Sequence, residues 1–145
     1  MAARYLISAC LSGTCCRYDG GAFDYPALRR LVESGEAIPF CPECVGGLPT
    51  PRVPCEIVGD RVVAADGTDC TAAYRRGATA ALSLCREQGI SAAILKESSP
   101  SCGVSRIYDG THSGQKIPGR GVTAALLAQN GIALFTEQTL PADIE

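Results

Sequence analysis

Three short apolar runs in this chain lead into cysteines. Tyr5-Leu6-Ile7-Ser8-Ala9 runs into Cys10, and Ala37-Ile38-Pro39-Phe40 runs into Cys41. Ala92-Ala93-Ile94-Leu95-Lys96 runs into a Gly- and Ser-rich loop that holds Cys102. Runs this short and this uniformly apolar read as strands covered on both faces, the pattern of a parallel sheet. The C-terminal strand ends of an open parallel sheet point into one crevice, where ligands bind. Thiols far apart in sequence are thereby brought toward one point, which suggests a metal or iron–sulfur site.

The intervals between these runs agree with such a sheet. The sequence predicts strands at 4–9, 37–41, 92–96 and 132–136, and helices near 25–34, over about 70–88 and near 121–129. Gly35, Gly89 and Gly131 stand where those helices stop. The long helix carries an apolar stripe of Ala73, Gly77, Ala80, Ala81, Leu84 and Cys85, and Asp66 to Asp69 offer its caps. Residues 56–65 read as a hairpin turning at Gly59-Asp60. The stretch 42–54, with four prolines and two glycines, reads as irregular. The loop 97–120 is long for a compact domain, and loops of that length are usually functional. The tail after Glu137 is expected to hold one short turn. Tyr108-Asp109-Gly110 after Cys102 echoes Arg17-Tyr18-Asp19-Gly20 after Cys10, and chance or shared turn chemistry is the simplest account. Alternating strands and helices give the expected fold class: α/β, one compact domain over 1–145. Its sheet is mostly parallel with about four strands, helices on both faces, and a small β-hairpin beside it.

Charge and cysteine usage narrow the function. A net charge of -2 gives no electrostatic footprint for duplex DNA or long RNA. No apolar run approaches the roughly 20 residues that span a bilayer, and the N-terminal apolar stretch lacks a small-residue cleavage site. The expected setting is the reducing cytoplasm, with neither a large nucleic acid nor a membrane as partner. There a chain with nine cysteines, an odd number, reads as metal-binding or catalytic and not as disulfide-stapled.

Soft thiolates select zinc, copper(I) or iron–sulfur clusters. Structural zinc sites usually take four ligands in close pairs. The one such pair is Cys41 and Cys44, and no second pair mirrors it. Three ligands, one per loop, leave a metal position open, as a catalytic site requires. Cys55, Cys70 and Cys85 read more simply as small buried hydrophobes. Glu43 either serves as general acid or base beside the metal or is a loop acid paired with Arg52. Ser98, Ser99 and Ser101 surround Cys102 with hydroxyls, which either relay protons or form an ordinary turn. Lys96 either faces the crevice or is a solvated charge. Gly119-Arg120-Gly121-Val122-Thr123 opens a helix whose free amides suit an anion, without the Gly-Lys-Ser/Thr ending of a phosphate loop. His112 is the lone histidine, and no Gly-x-Ser-x-Gly elbow accompanies it.

Taken in order, several motifs resemble the thiouracil desulfidase (TudS-like) family. They are Ile7-Ser8-Ala9-Cys10-Leu11-Ser12-Gly13, Cys16-Arg17-Tyr18-Asp19-Gly20-Gly21, Cys41-Pro42-Glu43, Gly46-Gly47-Leu48-Pro49-Thr50-Pro51-Arg52, Ile94-Leu95-Lys96, Ser99-Pro100-Ser101-Cys102-Gly103, Ile107-Tyr108-Asp109-Gly110 and Gly119-Arg120-Gly121-Val122-Thr123. The resemblance runs from about residue 4 to 137. Ser12 and Cys44 depart from the usual pattern. The resemblance implies a 4Fe–4S cluster held by Cys10, Cys41 and Cys102 with one iron open, and Glu43 and Ser99 as catalytic residues. It also implies removal of sulfur from thiolated uracil compounds (4-thiouracil, 2-thiouracil or 4-thiouridine monophosphate) to give uracil products and sulfide, by hydrolysis and without net redox change. The implied partner is thus a small thiolated pyrimidine. The resemblance leaves open whether Cys16 or Cys44 contacts the cluster. For a nucleotide, Arg17, Arg52, Arg120 or the helix start at Gly121 would hold the phosphate. Two other readings compete: a non-catalytic metal- or cluster-binding module or sensor, and a metal-free thiol redox enzyme using Cys41 and Cys44.

Overall fold

The computed structural model describes residues 3–13, 19–21, 23, 25–142 and 144. The apolar runs form the four strands expected of them: β1 (Tyr5–Ser8), β2 (Ala37–Phe40), β5 (Ala92–Leu95) and β8 (Ala133–Thr136). They make one four-stranded sheet in the order β2-β1-β5-β8. Every pair is parallel, with Tyr5 opposite Ala37 on one side and Ala92 on the other, and Leu95 opposite Thr136. Each strand needs both faces covered, and the alternation of side chains provides it. Tyr5, Ile7, Ala37 and Ile94 pack with Leu28 of α1 (Pro26–Glu33). Leu6, Ala93 and Leu95 pack with Ala81, Leu82 and Cys85 of α3 (Thr71–Gln88) and with Ala124 and Leu127 of α4 (Val122–Gln129). Helices therefore lie on both faces.

The chain passes from β1 to β2 in one direction and then crosses to β5 on the far side of β1. The reversal makes the C-terminal end of β1 a topological switch point, where an open α/β sheet leaves a crevice. Among the described residues no helix is long and apolar enough to cross a membrane.

Four local expectations are corrected. The prolines after Cys41 do not exclude a helix: α2 (Pro42–Val45) forms a single turn with Pro42 at its start. Proline is tolerated there because that amide has no partner within the helix. The loop 97–120 contains an antiparallel pair, β6 (Arg106–Tyr108) and β7 (Lys116–Pro118). The α3 stripe keeps Ala73, Gly77, Ala81 and Cys85 but widens to Tyr74, Ala78 and Leu82, while Ala80 and Leu84 are only half-buried. The N-cap of α3 is Cys70, without a side-chain cap bond, and Asp69 instead accepts from the Thr71 amide at 2.9 Å. The expected hairpin is present as β3 (Cys55–Val58) and β4 (Arg61–Ala64), with Gly59-Asp60 between them. The echoed Asp-Gly turns share one device. Asp19 accepts from the Gly21 amide and Asp109 from the Thr111 amide, both at 2.9 Å.

Helix α2 lies directly on α3, and glycine makes that approach possible. A β-carbon on Gly77 would overlap the carbonyl of Pro42, and one on Gly46 would overlap the carbonyl of Ala73. The contact sets the position of Cys41 and Glu43. Gly77→Ala is expected to lower stability by about 1–3 kcal/mol through overpacking and to displace Glu43 from its partners. Denaturant unfolding would show the loss, and an unchanged midpoint would contradict it.

Candidate functional site

The crevice at the switch point is a pocket of about 270 Å³. Cys10, Cys41 and Cys102 all line it. Cys10 sits in a single 3-10 turn (Ala9–Leu11) directly after β1, and its carbonyl accepts from the Phe23 amide at 2.8 Å. Cys41 follows β2 and is the N-cap of α2. Cys102 follows β5 by a loop and is buried. The three belong to neighbouring strands of the sheet, so their shared pocket follows from the strand order.

Glu97 shapes the loop that carries Cys102. This buried carboxylate accepts from the amides of Ser98, Val104, Ser105 and Arg106 and from the Ser105 hydroxyl. Burial alone would raise its pKa, but those bonds outweigh burial and hold the carboxyl below its usual range. At the other end of the loop, the Ser101 and Thr123 hydroxyls bond each other at 2.7 Å, both fully buried. Burial pushes the Cys102 thiol up to about 12, while contacts with Ser8 and Ser101 act the other way. It is therefore a neutral thiol unless a cation reaches it.

Glu43 stands at the centre of the polar wall. Its Oε2 accepts from the Tyr74 hydroxyl at 2.8 Å and from Arg52 Nε at 3.2 Å, and lies 3.1 Å from Arg52 Nη2. The Arg52 and Glu43 side chains are only 6% and 14% exposed, so this is a largely desolvated pair. Oε1 takes the Ser99 hydroxyl at 3.4 Å. Ser99 Oγ accepts from the Ser101 and Cys102 amides, both at 3.1 Å, so its own proton is left to point at Glu43. Tyr74 remains protonated, because burial and the adjacent carboxylate raise its pKa.

The structure sorts the remaining candidates. Ser98 lines the pocket, and Ser101 is buried behind it. Lys96 lines the pocket and is not a solvated charge: its Nζ pairs with Glu137 at 2.8 Å. Cys44 does not line the pocket. Its thiol lies between the Thr50 hydroxyl at 3.4 Å and Arg52 Nη1 at 3.9 Å, and it also touches the Cys41 side chain. Cys16 and Arg17 lie outside the described residues. The helix start at Gly121 is closed to an anion, because Val122, Thr123 and Ala124 donate to the carbonyls of Pro100 and Ser101. A β-carbon on Gly121 would strike Ser101, so loop and helix are pressed together. Arg120 reaches the Val104 carbonyl and is not part of the pocket wall. His112 meets Glu56 at 3.6 Å, not a serine.

Sequence reasoning missed Tyr74 and Cys55. A buried tyrosine needs a partner for its hydroxyl, and that need was the available signal for Tyr74. Cys55 is buried yet also lines the pocket, beside Tyr74 and Cys70. Among the described residues no three His, Cys, Asp or Glu side chains converge on a single-ion position.

Comparison with known proteins agrees with this geometry. A Bacillus subtilis (strain 168) protein, YbbK, is 46% identical over 145 residues, covering 93% of this chain and 96% of its own length. The solved structure of a 4Fe–4S-dependent thiouracil desulfidase, TudS, superposes with a TM-score of 0.92 at 49% identity, covering 96% of this chain and 93% of that one. The 2-thiouracil desulfurase family model matches residues 5–139. With the same fold along almost its full length and a family match across the whole sheet and pocket, the chain belongs to the 2-thiouracil desulfurase family.

Proposed function

We propose that the protein removes sulfur from thiolated uracil compounds by hydrolysis, as one desulfidase domain over 1–145 working in the cytoplasm. In this reading Cys10, Cys41 and Cys102 hold a 4Fe–4S cluster with one iron open, and Glu43 and Ser99 are catalytic. The observation that carries it is the meeting of three thiols and the Ser99–Glu43 pair in one pocket. The donor set suits the group. Three soft sulfurs from three separate loops around one pocket suit an iron–sulfur cluster. The bound cluster supplies a Lewis acid toward the substrate's sulfur.

The protein's own groups do the proton work. Oε2 of Glu43 is held by Arg52 and Tyr74, which leaves Oε1 as the atom that takes a proton. Glu43 removes it from a water that adds to the ring carbon bearing sulfur. Ser99, hydrogen-bonded to Oε1, relays that proton: it gives its own hydroxyl proton to the departing sulfur and takes the one held by Glu43 as the C–S bond breaks. The balance is a thiocarbonyl plus water giving a carbonyl plus hydrogen sulfide, with no electron gained or lost. The test is anaerobic incubation of the iron- and sulfide-reconstituted protein with 4-thiouracil. Loss of the thiocarbonyl absorbance with release of sulfide, without added reductant and absent from the metal-free chain, is the expected result. No loss, or equal loss with the metal-free chain, would overturn the reading.

A further inference from the structure

Cys44 is a thiol that the mechanism does not use. It lies off the pocket wall yet touches Cys41, which lines it. The start of α2 brings the two together. Cys41 is the N-cap and Cys44 the third residue of the helix, which begins at Pro42. Side chains at those two positions face each other, the relation on which a capping box depends. Where a serine at the N-cap would bond a backbone amide, the Cys41 side chain makes no cap bond and meets Cys44. Cys44 is steadied by the Thr50 hydroxyl at 3.4 Å and by Arg52 Nη1 at 3.9 Å. The turn between them is closed, because the Val45 amide donates to the Cys41 carbonyl at 3.0 Å. Both residues are half-buried thiols and not disulfide-bonded. A disulfide forms without backbone movement only where two side chains already point at each other, and these two do.

We propose that Cys44 is a resolving thiol, which closes a reversible disulfide with Cys41 whenever Cys41 carries no iron. With a peroxide as oxidant the atoms balance. The Cys41 sulfur attacks one peroxide oxygen, the O–O bond breaks, and a sulfenic acid and water form. The Cys44 sulfur then attacks the Cys41 sulfur. The S–S bond forms, the S–O bond breaks, and the hydroxide leaves as water with the Cys44 proton. Two thiols lose two electrons, and the peroxide becomes two waters. A sulfenic acid without a partner thiol goes on to sulfinic acid, which thiol reductants do not restore. Cys44 therefore keeps Cys41 recoverable: the disulfide bars iron from that sulfur until a dithiol reopens it. The moment of closure rests on the cluster reading of the pocket, whereas the reach between the two side chains does not.

The test is mass spectrometry of the full-length metal-free chain after excess hydrogen peroxide, blocking with iodoacetamide and digestion with trypsin. The tryptic peptide Leu31–Arg52 contains Cys41 and Cys44 and no third cysteine. Wild type is expected to give this peptide unalkylated and short of two hydrogens. Dithiothreitol should then return both thiols, together with iron uptake on reconstitution. Cys44→Ala and Cys44→Ser should give the peptide heavier by two oxygens, with iron uptake that dithiothreitol does not recover, although both variants load like wild type before oxidation. A wild-type peptide still alkylated at both cysteines after peroxide, a Cys41 joined to a cysteine elsewhere in the chain, or full recovery of iron by oxidised Cys44→Ala would overturn the proposal. A Cys41–Cys44 disulfide in a chain that takes up no iron before or after reduction would keep this inference and overturn the cluster reading.

Discussion

Cys102→Ala is expected to abolish desulfuration and to leave the protein without its iron. Cys102 is buried where the β5 loop faces Cys10 and Cys41 across the pocket. Its neighbours Ser8 and Ser101 are hydroxyls, hard oxygen donors that do not replace a soft thiolate on iron. Burial keeps the thiol neutral in the metal-free chain, so cluster binding must displace its proton, and loading should release protons in proportion to the iron taken up. The fold should survive the substitution, because the loop is held by Glu97 and by the Ser101–Thr123 bond and not by sulfur. Cys85→Ala is the matched control: that thiol is buried in the core cluster beside α4 and does not line the pocket. It should keep both iron and activity. Turnover and iron content measured on the two variants check the claim, and an active Cys102→Ala would refute the assignment of this ligand.

Glu43→Gln is expected to lower kcat by about 10²–10⁴, the usual worth of a positioned proton-transfer group, while iron content stays the same. Glutamine keeps the shape that the Tyr74 and Ser99 hydroxyls address but cannot take a proton from water. A second effect separates chemistry from structure. The carboxylate faces a largely buried guanidinium, so breaking the pair should destabilise the fold on the order of 3 kcal/mol. Unfolding measurements would read that cost, and single-turnover kinetics on the folded fraction would read the catalytic loss. A Glu43→Gln variant that is destabilised but turns over at the wild-type rate would reduce Glu43 to a structural acid.

Much of the site was legible because a parallel sheet converts apolar runs into positions. Once 5–8, 37–40 and 92–95 are strands, their C-terminal ends meet, and Cys10, Cys41 and Cys102 follow. The β3–β4 turn was legible from Gly59-Asp60 for the same local reason. What stayed hidden depended on tertiary partners. Tyr74 interrupts an alanine-rich stripe, and its role appears only when the chain 31 residues earlier brings Glu43 to its hydroxyl. The β6 and β7 strands are three residues each, too short to display alternation, and they deliver Tyr108 and Lys116 to the pocket mouth. The helix start at Gly121 looked open because spacing does not reveal that the loop at Pro100 and Ser101 lies on it.

The most direct test of the account is a count of iron and acid-labile sulfide on anaerobically purified protein, in wild type and in single alanine variants of Cys10, Cys41, Cys102 and Cys44. The account predicts four irons and four sulfides per chain in wild type, as for any 4Fe–4S cluster. It predicts loss of both in the first three variants and full retention in Cys44→Ala. Bound zinc in place of iron, or a cluster that persists without Cys102 and disappears without Cys44, would contradict it.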